Sequence, residues 1–158
     1  MVHYQELLLY ARPQALLQWE FTPDYGCVEM QKIPPGGEIP RPTWRFAFLQ
    51  HFCNLTPPKA TALATTSDQP NVLFTAFTGE ANGQTVYTFH IANLGASRVA
   101  AITGLPRDVS RLRAVRTAED ELFRELAPVE AVNGELKVML TEHSFLTLTS
   151  MPRQSETK

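Results

Sequence analysis

The sequence predicts a mainly β protein, an antiparallel β-sandwich preceded by one helix–strand–helix piece. After Pro58, short runs of alternating apolar and polar residues are bounded by Gly, Pro, Asn or Asp, a pattern typical of strands. Before Pro58, apolar residues recur every three to four positions, a spacing typical of helices. A single short run there is almost wholly apolar, which indicates a strand covered on both faces.

The helix–strand–helix piece is predicted from four segments. His3–Arg12 predicts a helix that Pro13 closes, and Ala15–Phe21 predicts the covered strand. Thr22–Pro42 is rich in Pro and Gly and predicts a loop. Thr43–Leu55 predicts a second helix with Thr43 as its cap. Its apolar stripe consists of Trp44, Ala47, Phe48 and Phe52, with Leu49 and Leu55 beside them.

Seven short segments predict the strands of the sandwich. They are Ala60–Thr66, Val72–Thr78, Val86–Asn93, Arg98–Thr103, Leu112–Arg116, Leu136–Leu140 and Ser144–Thr149. Asn82-Gly83 predicts a tight hairpin, because both residues accept the positive φ angles of such a turn, and Asn133-Gly134 repeats the signal.

The covered strand implies a larger structure than the chain itself supplies. A parallel strand needs neighbours on both sides, so a lone strand–helix unit indicates the last unit of a (β/α)₈ barrel of ~250 residues. We therefore predict an incomplete barrel unit over residues 1–57, a β-sandwich domain over 58–151 and a frayed tail over 152–158.

Composition excludes several classes of protein. The formal net charge of −2 favours neither nucleic acid nor an anionic membrane as partner, and no apolar run approaches the ~20 residues of a membrane span. Cys27 and Cys53 are predicted to be reduced, partly buried thiols, and no metal or cofactor is predicted. The N-terminus lacks a signal-peptide pattern, which predicts a cytoplasmic protein if the chain is complete; the compartment of a longer parent stays open.

Four stretches resemble the C-terminal end of glycoside hydrolase family 30, the retaining (β/α)₈ enzymes that include glucosylceramidases and endo-xylanases. LLQWEF is similar to the eighth barrel strand, and RPTWRFAFLQHFCNLTPPKA resembles the closing helix and its exit into the side β-sandwich. VYTFHIANLGASRVAAITGL and LTEHSFLTLTS resemble two later parts of that sandwich. The chain departs from the family pattern at Cys53-Asn54 and at Pro57-Pro58-Lys59.

The resemblance implies an architectural role without catalytic residues in this chain. In the family, the catalytic carboxylates follow the fourth and seventh barrel strands, both of which would precede residue 1. The carbohydrate substrate would bind the complete enzyme, whose missing barrel portion would be joined in cis or in trans. Trp19 is the candidate substrate-binding residue, because a Trp at the end of a barrel strand can stack on a sugar ring. A core position for Trp19 is the alternative.

Other polar and aromatic residues are interpreted as structural or surface residues. Glu20 lacks a paired carboxylate, so it is not predicted to be a catalytic acid, and Asp24 and Tyr25 are interpreted as solvated loop residues. His51 and His90 have no metal-ligand spacing. The acidic turn 117–121 is interpreted as solvated rather than as a calcium site. The sandwich aromatics are predicted to face the core, apart from an exposed Tyr87; they are Phe74, Phe77, Tyr87, Phe89, Phe123 and Phe145.

Two alternative functions remain open. The chain could be a stand-alone β-sandwich module that binds carbohydrate or a protein partner, or it could dock onto a separately encoded barrel. The fragment hypothesis predicts poor solubility, because the edge of Ala15–Phe21 and the stripe Trp44/Phe48/Phe52 would lack partners.

Overall fold

The computed structural model describes residues 2–11, 23 and 26–153. The first element is helix α1, Val2–Glu6, which continues as a π-helical turn over Leu7–Ala11. These residues confirm the helix predicted for His3–Arg12 up to residue 11. The predicted strand Ala15–Phe21 and residues 154–158 of the predicted tail lie outside the described residues.

A β-hairpin occupies most of the segment predicted to be a loop. Strands β1, Val28–Ile33, and β2, Gly37–Pro42, pair antiparallel across a turn at Pro34–Gly36, so the loop prediction for Thr22–Pro42 is wrong there. Opposite charges face each other across the hairpin, with Glu29 opposite Arg41 and Lys32 opposite Glu38. Prolines are tolerated in β2 because it has only one paired neighbour in the described residues.

Helix α2, Trp44–Leu55, confirms the second predicted helix. Its first turn is anchored to the preceding chain, since the Thr43 hydroxyl donates to the carbonyl of Gly26 and the Thr43 N–H donates to that of Cys27 at 3.1 Å. Thr43 is the N-cap residue by position, but its side chain makes no capping bond to the helix. The buried face differs from the predicted stripe, because it includes His51; it consists of Ala47, Phe48, His51 and Leu55.

Eight strands follow α2 in the described part of the chain. They are β3 (Thr61–Leu63), β4 (Val72–Ala81), β5 (Gln84–Asn93), β6 (Arg98–Thr103), β7 (Arg111–Ala118), β8 (Glu121–Glu130), β9 (Glu135–Leu140) and β10 (Ser144–Thr149). The seven predicted strands are confirmed, although β3 is shorter than expected, and β8 was not predicted. Both predicted Asn-Gly turns are confirmed, with φ angles of 53° and 75° at Asn82 and Gly83 and of 53° and 78° at Asn133 and Gly134.

The strands form an antiparallel sandwich. Six of the described strands make a large sheet in the order β3-β4-β5-β10-β7-β8, and β6 pairs with β9 in a second sheet. The main apolar core lies between the two sheets, where Ile91, Leu112 and Leu148 of the large sheet meet Ile102 and Leu140 of the small one.

The opposite face of the large sheet is covered by helices. Because side chains alternate along a strand, Ala92 and Phe145 point away from the main core, and both pack with Phe48 of α2 in a second apolar cluster. The rings of Phe48 and Phe145 lie 4.8 Å apart. The molecule therefore has three layers, with helices on one face of the large sheet and the β6–β9 pair on the other.

Candidate functional site

Buried polar side chains gather where α1 and α2 pack on the large sheet, an interface that we call the helix–sheet seam. Its fully buried polar side chains are Gln5, His51, Thr88, His90, Thr117, Thr147 and Thr149. Polar groups in such a position are expected to be hydrogen-bonded, because each unpaired group costs about 1–3 kcal/mol.

His51 projects from the buried face of α2 between two threonines of the large sheet. Its Nδ1 atom lies 2.8 Å from the hydroxyl of Thr147 on β10, and its Nε2 atom lies 2.9 Å from the hydroxyl of Thr117 on β7. The Thr117 hydroxyl also accepts the backbone N–H of Phe123 at 2.9 Å. His51 therefore joins one helix to two neighbouring strands.

His90 on β5 continues the same chain of hydrogen bonds. Its Nδ1 atom lies 2.8 Å from the Thr147 hydroxyl, and its Nε2 atom lies 2.8 Å from the hydroxyl of Thr56, just after α2. The sequence Thr117–His51–Thr147–His90–Thr56 is thus continuous, and we call it the imidazole–hydroxyl chain. It crosses from β7 to the end of α2.

Two further groups of bonds attach the helices to the sheet. The side-chain amide of Gln5 on α1 donates to the Thr75 hydroxyl and to the His90 carbonyl, each at 3.1 Å. The hydroxyls of Thr88 and Thr149 lie 2.6 and 3.2 Å from the carbonyl oxygen of Leu55 and 2.7 Å from each other, so the pair donates to that carbonyl while sharing a hydrogen bond. That carbonyl is one of the acceptors left free at the end of α2, so the sheet satisfies the helix terminus.

Phe123 adopts a left-handed backbone conformation beside His51. Its φ angle is 51°, which is unusual for a bulky residue and costs about 1–3 kcal/mol. The conformation coincides with a break in the β7–β8 register between Arg116 and Ala118. It lets Phe123 direct its N–H to Thr117 while its ring lies 5.0 Å from the His51 ring.

Burial keeps both histidines of the seam neutral. It lowers the pKa of His51 to about 3, because a charged imidazole would be removed from water. Burial also lowers the pKa of His90 well below its ordinary value, and the adjacent His51 adds to this shift. The seam therefore shows structural histidines, as the sequence indicated, but with a hydrogen-bond network that the sequence did not indicate.

An open cleft of about 870 Å³ lies on the other side of the large sheet. The segment 63–69 and strand β6 form its walls, and Phe74 and Ile91 contribute to its lining. At its rim, Arg98 donates to the side-chain oxygens of Gln69 and Asn71 at 3.1 and 3.3 Å. The cleft combines an apolar floor with polar edges, as ligand sites do.

The candidate substrate-binding residue Trp19 lies outside the described residues, together with Glu20, Asp24 and Tyr25. Phe77, Phe89 and Phe145 are buried as predicted, but only Phe89 of these three belongs to the main core, whereas Phe145 and Phe77 contact α2. Tyr87 is half-buried against the main core, so its predicted exposure is wrong.

Other expectations can be compared with the same part of the chain. Both cysteines are free, with Cys27 buried and Cys53 exposed. Phe48 of the predicted stripe is covered by the sheet and is only 1% exposed. In residues 2–11, 23 and 26–153, no group of three or more His, Cys, Asp or Glu side chains could hold a metal ion. No helix in those ranges is long and apolar enough to cross a membrane.

Compared by sequence, the chain matches neither a protein-family model nor a curated protein. Compared by structure, it is similar to xylanases of glycoside hydrolase family 30. An endoxylanase from Clostridium papyrosolvens C71 superposes with a TM-score of 0.61 at 19% identity, over 70% of this chain and 28% of that one. A subfamily 8 xylanase from Clostridium acetobutylicum gives a TM-score of 0.62 at 18% identity, over 69% and 28%.

A third xylanase shows the same partial overlap. The catalytic domain of xylanase C from Talaromyces cellulolyticus superposes with a TM-score of 0.57 at 18% identity, over 72% of this chain and 25% of that one. The chain thus spans between a quarter and three tenths of the length of these enzymes. The fold resemblance found in the sequence is confirmed, and it concerns part of each enzyme.

Proposed function

We propose that the chain is the C-terminal, non-catalytic segment of a retaining glycosidase. The supporting observation is that about 70% of the chain shares its fold with only about 28% of a family 30 endoxylanase. Its role would be to close the barrel with α2 and to support the barrel's flank with the sandwich. The polar bonds of the helix–sheet seam favour this role, because they attach α2 firmly to the large sheet.

The genomic context tests whether the segment belongs to a longer enzyme. We expect an in-frame coding stretch of a few hundred codons directly upstream of Met1, with glutamates after strand-like segments, because ~250 residues are typical of a whole barrel. Stop codons and a ribosome-binding site directly before Met1 would contradict a continuous enzyme. Activity restored by mixing the chain with a separate barrel would then support docking in trans.

An activity assay tests the non-catalytic assignment. We expect the purified 158-residue chain to release no reducing sugar from xylan and no aglycone from aryl β-glycosides, because retaining glycosidases need two carboxylates about 5–5.5 Å apart. A mock purification from cells without the gene controls for contaminants. Turnover that exceeds this control and persists in Glu20→Gln would contradict the assignment.

Trp19 would contribute a stacking surface at the sugar site of the complete enzyme. We expect Trp19→Ala to raise KM for a xylo-oligosaccharide by about tenfold, since aromatic contacts contribute on the order of 1 kcal/mol or more. Trp44→Phe on α2 is the matched control, because these are the two tryptophans of the chain. An unchanged KM in the Trp19 variant would place Trp19 in the core instead.

A second candidate function is supported by the cleft beside β6. Its volume of about 870 Å³ and its polar rim suit a small carbohydrate or a peptide, so the chain could be a stand-alone binding module. We expect xylohexaose to shift the backbone amide signals of Arg98 and Gln69 in an NMR titration if this is correct. Signals that stay unchanged at millimolar xylohexaose would contradict carbohydrate binding in the cleft.

A further inference from the structure

The imidazole–hydroxyl chain has a fixed number of hydrogens for its bonds. Its central hydroxyl, Thr147, lies 2.8 Å from Nδ1 of both His51 and His90, but it has one hydrogen to donate. It can donate to one imidazole and accept from the other, whereas accepting from both would leave its own hydrogen unpaired in the interior. With both rings neutral, this requirement couples the tautomer of one imidazole to that of the other. The hydrogen bonds of the imidazole–hydroxyl chain can then be donated in two directions, from Thr117 towards Thr56 or from Thr56 towards Thr117.

Thr117 selects between these directions. Its hydroxyl oxygen already accepts the N–H of Phe123, it is fully buried, and within the described residues its other hydrogen-bond partner is His51. Its own hydrogen must therefore go to Nε2 of His51, or remain unpaired in the interior. The proton of His51 is then on Nδ1 and points to Thr147, which donates in turn to Nδ1 of His90.

The far end of the chain agrees with this direction. The remaining proton of His90 is on Nε2 and is donated to Thr56, which is only part-buried. The hydrogen of the Thr56 hydroxyl therefore lies at the edge of the interior rather than inside it. The arrangement satisfies every buried group of the chain with both imidazoles neutral.

Protonation of either histidine would leave a buried hydroxyl hydrogen without an acceptor. A charged His51 would donate from both nitrogens, and the hydrogen of Thr117 would lose its acceptor. A charged His90 would donate to Thr147, which would then accept twice and have no acceptor for its own hydrogen. The surroundings cannot compensate, since phenylalanine rings lie 5.0 Å (Phe123) and 4.9 Å (Phe145) from the His51 ring and 4.0 Å (Phe52) from the His90 ring.

In the described part of the chain, no negatively charged group contributes to the pKa of either histidine. Among the residues that the structure describes, the only ionisable neighbour that affects either pKa is His51, which lowers that of His90. Arg113 and Glu125, on β7 and β8, bind each other at 3.2 Å. The other charged or titratable side chains on the elements packed around the rings are His3, Glu6, Glu38, Arg41, Arg45, Cys53, Glu80, Tyr87, Arg111, Arg116, Glu121, Arg124 and Glu130.

We propose that the imidazole–hydroxyl chain is an acid-sensitive latch, which holds α2 on the large sheet while both histidines are neutral and weakens progressively as the pH falls below neutral. The proposal concerns regulation of the helix–sheet seam and does not depend on the proposed glycosidase function. If α2 closes a barrel, release would uncouple the barrel from its sandwich.

The direction of the pH effect follows from the lowered pKa values of the two histidines. The unfolded or released state binds protons near the ordinary pKa of about 6.5, whereas the docked state does not. The stabilisation that the latch gives to the docked state is therefore fully present above pH ~6.5. It is lost as the pH falls towards the docked-state pKa values. Below pH ~6, each histidine is expected to raise the opening equilibrium constant up to tenfold per pH unit.

The first test is the pH dependence of stability in the 158-residue chain. We expect the urea unfolding constant to rise about sixtyfold between pH 6.0 and 5.0. His51→Gln and His90→Gln should each reduce this rise about eightfold, whereas exposed His143→Asn should not change it. A wild-type rise below threefold, or an equal reduction in the His143 control, would overturn the latch.

Two measurements on the unmodified chain keep the proposal testable if the glutamine variants do not fold. Imidazole ¹⁵N shifts at pH 7 should place the proton on Nδ1 of His51 and on Nε2 of His90, and titration near pH 6.5 in the folded chain would overturn the proposal.

Hydrogen exchange, corrected for intrinsic rates, should show α2 losing protection between pH 7.0 and 5.5 before β6 and β9. An equal loss of protection in β6 and β9 would overturn the proposal that α2 is released locally.

Discussion

Thr147 shows how much of the structure depends on single buried side chains. It lies at the centre of β10 and bonds to two histidines that belong to different elements. Sequence reading interpreted His51 and His90 as structural or surface residues, and the structure places both in the buried interior. Their partners could not be predicted, because Thr147 lies 96 residues from His51, and no local pattern specifies such a pair.

Thr147→Val should be strongly destabilising, although it preserves the shape of the side chain. The change leaves Nδ1 of both imidazoles without a partner, which should cost about 2–5 kcal/mol of unfolding free energy in urea melts. Thr103→Val is the matched control at an exposed strand position, with an expected change within about 0.5 kcal/mol. Equal effects of the two changes would show that the bonds to Thr147 contribute little.

Glu121 provides a second prediction at the residue scale. The hydrogen bond from Arg116 lowers the pKa of Glu121, partial burial opposes this shift, and Arg124 assists Arg116. We expect Arg116→Gln to raise the pKa of Glu121 more than Arg124→Gln does, as measured by carboxyl ¹³C titration. Since the folded-state pKa is lowered, the stabilisation is present at neutral pH and lost as the pH falls through that pKa. A larger rise of the Glu121 pKa in the Arg124 variant would show that Arg124, and not Arg116, is its main partner.

At the scale of elements, two segments differ from the sequence prediction for physical reasons. Strand β8 carries several charges and Pro128, features that argue against a central strand. It is an edge strand with largely exposed side chains, and an edge strand tolerates both the charges and the proline. The β1–β2 hairpin is similarly exposed, so no apolar alternation marks its strands.

The two Asn-Gly turns allow a matched prediction about elements. Gly83 and Gly134 have φ angles of 75° and 78°, so Ala should cost about 1–2 kcal/mol at either site. A Cβ at Gly134 would also lie 2.8 Å from the carbonyl oxygen of Leu105, whereas one at Gly83 would meet nothing within 4 Å. We therefore expect Gly134→Ala to lower the thermal midpoint clearly more than Gly83→Ala does. Equal shifts would mean that the Leu105 carbonyl moves aside freely.

For the whole molecule, α2 covers one face of the large sheet and so belongs to the structural core of the sandwich. Ala92 and Phe145 of the sheet are fully buried, and both pack with Phe48 of α2. The predicted division into residues 1–57 and 58–151 separates the two sides of this interface. The division into these two domains remains a prediction.

Deleting residues 1–57 should therefore prevent the remainder from folding as a monomer. The deletion exposes Phe145 and leaves His90 and Thr149 without their partners from the α2 end. We expect poorly dispersed amide NMR signals or aggregation in size-exclusion chromatography. A chain that starts at Gly26 and keeps α2 is the control, and it should unfold cooperatively. A monomeric, cooperatively folded 58–158 would establish the sandwich as an independent domain.

The sequence by itself determined where most elements lie, because alternation, helical spacing and turn residues act over a few positions. It predicted α2, the two Asn-Gly turns and seven strands of the sandwich from such local signals. Only the tertiary structure decided that β10 lies between β5 and β7, and that His51 fits between two sheet threonines. The physical reason is that a buried polar residue has the same local signature as an exposed one. Its position inside depends on hydrogen-bond partners that folding brings together from distant parts of the chain.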